Sequence, residues 1–123
     1  MRSIVGTWKL ISETASDSTG RPGALLYGGA PVGSATFTAE GRVVAVLTDG
    51  RMNGVPEPRP LTAFSGRYTF DGTRIVMHLD CATRPAMMAE SQVRMAGFEG
   101  NAMILTATAA DGSTRCFTWQ LLS

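Results

Sequence analysis

The chain has 123 residues but only one histidine, two cysteines and one lysine. These shortages exclude a good deal of chemistry. His78, Cys81 and Cys116 cannot supply the closely spaced ligand set of a zinc or iron site, so no metal is expected. Schiff-base catalysis would have to use Lys9, at a strand position that reads as solvent-facing. The segment Met1–Gly6 holds no apolar run long enough for a leader or a membrane span, which points to the cytoplasm. In that compartment the two cysteines are expected to stay reduced, although an oxidising one would let them pair. Cys116, among apolar neighbours, reads as a small hydrophobe. There is no block of like charge, since 11 basic and 10 acidic residues are spread along the chain. Neither nucleic acid nor membrane is therefore expected as a partner. The sequence also lacks a Gly-x-Ser-x-Gly elbow and a glycine-rich phosphate loop leading into a helix. Its acidic residues mostly flank turns, so a catalytic carboxylate pair has no support. No cofactor is expected.

What remains is patterned for β structure. Apolar residues make up 44% and charged residues 17%, as in a globular domain, here a single one over residues 1–123. Glu40-Gly41, Asp71-Gly72, Gly100-Asn101 and Asp111-Gly112 each separate two stretches rich in Val, Ile, Thr, Phe and Met, the mark of β-hairpins. No segment sustains a helical apolar stripe. Strands are predicted near 4–14, 33–39, 42–49, 63–71, 74–81, 91–98, 102–109 and 114–122. That pattern predicts an all-β fold, an antiparallel up-and-down barrel of about eight strands with a central apolar cavity. The long connections 15–32 and 50–62, the latter holding Pro56, Pro58 and Pro60, would form a lid over one end.

Strict alternation along strands identifies the inward side chains. A two-residue turn at Asp71-Gly72 pairs Tyr68 with Ile75, Gly66 with Met77 and Phe64 with Leu79. Phe64, Tyr68, Phe70, Ile75, Met77 and Leu79 then face inward. His78 points outward beside Ser65 and Asp80. Those three suggest a nucleophile set, but residues two apart on a strand are ~7 Å apart, too far for a base and its orienting partner. The Gly100-Asn101 turn pairs Phe98 with Met103, Ala96 with Leu105 and Arg94 with Ala107, which places Arg94 and Gln92 inside. A three-residue turn at Asp111-Gly112-Ser113 adds Phe117, Trp119 and Leu121.

Several stretches resemble the bacterial lipocalin-like domain family. Gly6-Thr7-Trp8-Lys9-Leu10-Ile11-Ser12 is similar to its opening, in which the tryptophan plugs one end of the barrel. Pro31-Val32-Gly33 leading to Phe37-Thr38-Ala39-Glu40-Gly41-Arg42 resembles its first hairpin. Ser65-Gly66-Arg67-Tyr68-Thr69-Phe70-Asp71-Gly72 and Gln92-Val93-Arg94 followed by Gly100 are similar to two later ones. The resemblance covers most of the chain and implies an eight-stranded calyx around a hydrophobic cavity. Related small barrels include carriers as well as isomerases and cyclases of apolar substrates. The chain departs from the pattern at Met77-His78, where adjacent histidines are expected, and at Met87-Met88 after Pro85, where an aromatic is expected.

Two functions from different classes follow. One is a protein that carries or sequesters a small hydrophobic molecule. The other is a cofactor-free isomerase or cyclase whose cavity holds reacting atoms in place. The expected lining is Trp8, Tyr27, Phe37, Phe64, Tyr68, Met77, Leu79, Gln92, Arg94, Met103, Phe117 and Trp119. Met87, Met88 and Met95 are flexible enough to join it. Arg94 and Tyr68 are the candidate catalytic groups. Arg94 has two readings: a clamp for a ligand oxygen, or a guanidinium satisfied by Trp8 or backbone carbonyls at the closed end. Tyr68 could donate to a ligand or serve as a core aromatic. Val44, Val46 and Val76 on the outer face would suit a homodimer through the barrel wall.

Overall fold

A computed structural model describes residues 2–123. Its eight strands run in chain order around a closed barrel: β1 (Gly6–Ser16), β2 (Pro31–Phe37), β3 (Arg42–Asp49), β4 (Leu61–Phe70), β5 (Arg74–Ala82), β6 (Gln92–Glu99), β7 (Ala102–Thr108) and β8 (Thr114–Leu121). Every neighbouring pair is antiparallel, and β1 pairs with β8 to close the ring. Closure gives every strand a neighbour on both sides. One helical turn, α1 (Ala86–Ala89), interrupts the third long connection, which the sequence pattern did not reveal.

Alternation holds over most of the wall. On β3, Val43, Ala45, Leu47 and Asp49 are buried, while Arg42, Val44 and Val46 face solvent. The hairpin faces are as expected, but two turns are displaced by one position. Phe70 pairs with Ile75, Tyr68 with Met77 and Gly66 with Leu79, so the turn tip is Gly72-Thr73 rather than Asp71-Gly72. The Asp71 carboxylate fixes that position by accepting from the Thr73 and Arg74 amides. At the last hairpin Thr108 pairs with Thr114 and Ala109 with Ser113, so its three-residue tip is Ala110–Gly112. Inner and outer faces survive both displacements because each moves the pairing by two residues. The Gly100 turn pairs Phe98 with Met103 and Ala96 with Leu105, as expected.

Two bulges break the alternation, and both matter for function. Leu10 faces Trp119 and Ser12 faces Thr118, so Ile11 is an extra residue on β1. Before it Trp8 and Leu10 are buried; after it Glu13 is. On β5, Leu79 faces Gly66 and Cys81 faces Ser65, leaving Asp80 extra. Cys81 is thereby turned out to solvent. Gly66 permits this crossing, because a Cβ there would collide with the backbone at His78 and Leu79.

The N-terminal residues seal one end. Ile4 and Trp8 are almost wholly buried, and the Trp8 indole Nε1 donates to the Ile4 carbonyl at 3.0 Å. Phe37 and Tyr68 meet edge to face at 5.1 Å, and the Tyr68 hydroxyl donates to the Thr38 carbonyl at 2.7 Å. Gly6 has a positive φ of 142°, and a Cβ there would strike the C-terminal Ser123 carbonyl. No helix of the described residues is long and apolar enough to cross a membrane.

Candidate functional site

The barrel encloses a cavity of about 550 Å³ that opens at the end opposite Trp8. Small residues create the space. Ala35 on β2 and Ala45 on β3 face each other across the sheet and both point inward, where leucines would fill the interior. Phe37, Val43, Met77, Leu105 and Trp119 line the deeper part, and Leu47, Phe64 and Phe117 the wall. The volume lies within the range of small-molecule sites, roughly 300–1,000 Å³.

The lid over the mouth is fastened by a buried carboxylate. The Ile11 bulge turns Glu13 inward, and its side chain is completely buried. It accepts from the backbone amides of Leu26 at 2.9 Å and Tyr27 at 3.2 Å, and pairs with Arg115. Arg115 also donates to the Ala24 carbonyl. Leu26 and Tyr27 thus hang over the cavity from a fixed point. The Tyr27 ring packs 6.1 Å from Phe117, and its hydroxyl donates to Thr62 Oγ1 at 2.6 Å. Burial raises the Tyr27 pKa, with Glu13 adding to the effect, so the phenol is a neutral donor. The second connection is held likewise. Asp49 binds Arg51 through both carboxylate oxygens, and Arg59 donates to the Asp49 and Arg51 carbonyls.

Two arginines border the cavity without a carboxylate partner among the described residues, and one tryptophan of its wall has an unpaired indole nitrogen. Arg94 is half-buried, and one of its nitrogens reaches the Val93 carbonyl at 2.8 Å. No carboxylate among the described residues pairs with it. Burial first, and the Arg84 charge second, lower its pKa from the usual arginine value. Arg84, brought to the mouth by the Asp80 bulge, makes one long contact with the Met87 sulfur at 3.6 Å. Trp119 is 3% exposed, and its Nε1 has no hydrogen-bond partner.

A model of the lipocalin-like domain family matches residues 5–122. The chain belongs to that family. Among solved structures, the lipocalin-like barrel is similar to a redesigned β-barrel at 14% identity and a TM-score of 0.50, covering 98% of this chain and 92% of that one. This likeness bears on the fold alone. Comparison with curated proteins gave no match.

Of the side chains expected to line this lipocalin-like cavity, Tyr27, Phe37, Phe64, Met77, Arg94, Phe117 and Trp119 do so. Five do not. Trp8 lies beneath the floor, with its indole nitrogen spent on Ile4. Tyr68 is inward but belongs to the closed end, where its hydroxyl donates to the Thr38 carbonyl, and it does not line the cavity. Gln92 donates to the Met87 and Glu90 carbonyls and anchors α1. Leu79 and Met103 are core residues packed away from the space. Of the additional methionines, Met87 reaches the cavity, while Met88 and Met95 are exposed. His78 is exposed beside Ser91, and Asp80 is bound by Arg42 through both oxygens. Glu13, Arg84 and Arg115 were missed because bulges and lid contacts place them. The adjacent apolar pair Leu10-Ile11 was the one sequence signal for the first bulge.

Proposed function

We propose that this lipocalin-like barrel binds a small hydrophobic molecule in its interior, as a carrier or sequestering protein. The observation that carries this reading is the cavity itself: a largely apolar space, held open by Ala35 and Ala45 and roofed by a lid that Glu13 fastens. Apolar walls of this kind gain more from contact with an apolar ligand than from contact with water. Titration with N-phenyl-1-naphthylamine, a neutral dye that brightens in apolar surroundings, tests it. Saturable one-site binding that weakens about tenfold or more in Ala45→Leu supports the reading; absence of binding in dye titration and native mass spectrometry overturns it.

A cofactor-free isomerase or cyclase is the second reading, and the Arg94 guanidinium on the cavity wall, with no carboxylate partner among the described residues, favours it. Donors fixed in an apolar site can stabilise negative charge developing on a substrate oxygen. Binding ranks first because the one carboxylate on the cavity wall, Asp17, is engaged by Thr19 and Arg21 of its own turn. Turnover of a bound candidate that disappears in Arg94→Gln, with binding retained, would reverse this order.

A further inference from the structure

The polar groups of the cavity are too specific for a plain hydrocarbon. Arg94, half-buried in the wall, and Arg84, exposed at the mouth, border the same space. The third cavity arginine, Arg115, is neutralised by Glu13. Asp17 at the rim is turned into its own loop. The mouth therefore presents two cations with no protein counter-ion among the described residues. A buried guanidinium is costly unless an anion compensates it.

We propose that the occupant is an apolar acid whose anionic group faces Arg94 and Arg84. This inference rests on the binding reading above and names the chemical class of its ligand. The acid end stays near water and the lid, and the apolar body spans the alanine-lined interior.

The test uses matched probes on the whole protein. Dodecanoate should bind about tenfold or more tightly than 1-dodecanol, since a hydrogen bond to a charged group contributes that much. Arg94→Gln and, separately, the rim variant Arg84→Gln should shrink that preference. Equal affinity for acid and alcohol, or a preference unchanged in both arginine variants, overturns the acid. If neither 1-dodecanol nor the neutral dye binds, the cavity reading itself has failed.

Discussion

Glu13 and Arg115, 102 residues apart in sequence, form an ion pair beneath the lid of the barrel. Glu13 is completely buried and Arg115 is partly exposed, so the pair spans the boundary between interior and solvent. The carboxylate also takes two lid amides, which makes it a junction among β1, β8 and the first connection. Charge-assisted bonds of this kind are stronger than neutral ones.

Glu13→Gln should therefore loosen the lid without opening the barrel. A stability loss of about 2–3 kcal/mol is expected in urea denaturation, because one charged acceptor serves three donors. Hydrogen exchange should report the change locally, with the Leu26 and Tyr27 amides losing protection while β3 and β4 keep theirs. Uniform loss of protection across all strands would show that the pair supports the barrel rather than the lid.

Ala45→Leu should fill space rather than create strain. Ala45 faces Ala35 and Phe64 across its two neighbouring strands and borders the cavity, so added methylenes meet void before they meet atoms. Thermal stability should rise by the equivalent of about 1 kcal/mol, and dye affinity should fall about tenfold or more. A destabilised variant that still binds dye fully would place the cavity elsewhere.

Tyr68→Phe separates the closed end from the cavity. Removing the hydroxyl that donates to Thr38 should cost about 1 kcal/mol of stability. Affinity for dye or acid should not change, because Tyr68 has no surface on the cavity. Weakened binding in a variant of ordinary stability would return Tyr68 to the site.

The contrast between Tyr68 and Glu13 shows what the sequence could and could not convey. Period-2 alternation made Tyr68, Met77 and Phe117 legible as inward residues, since a strand of known register has two faces only. Direction is not depth, however. Whether an inward side chain meets the cavity or the plug depends on shear and on which end closes, and no local pattern carries either. Glu13 and Arg84 were illegible for a different reason. Each follows a single-residue bulge that exchanges inner and outer faces, and alternation extended through Ile11 or Asp80 assigns every later residue to the wrong side. The cavity was likewise inferred from its large residues, whereas the facing Ala35 and Ala45 make its volume.

Acid should weaken the fold through its aspartates, with Asp49 foremost. Hydrogen bonds from Arg51 hold the Asp49 carboxyl below the usual carboxylate range, against the opposing effect of burial. Asp80 is lowered by Arg42, and Asp17, Asp71 and Asp111 by donors of their own turns. The unfolded chain titrates near the ordinary value, ~3.9. Between that value and the lower folded one, the unfolded state binds more protons, so stability rises with pH. The contribution is complete above the unfolded pKa and vanishes as pH falls through the folded ones. Denaturation midpoints should thus be flat with respect to these groups near neutrality and drop steeply below about pH 4. Asp49→Asn should lower stability at neutral pH and make the acid limb shallower, because the group responsible no longer titrates. An acid limb of unchanged steepness in that variant would assign the transition to the turn aspartates and to Asp80 instead.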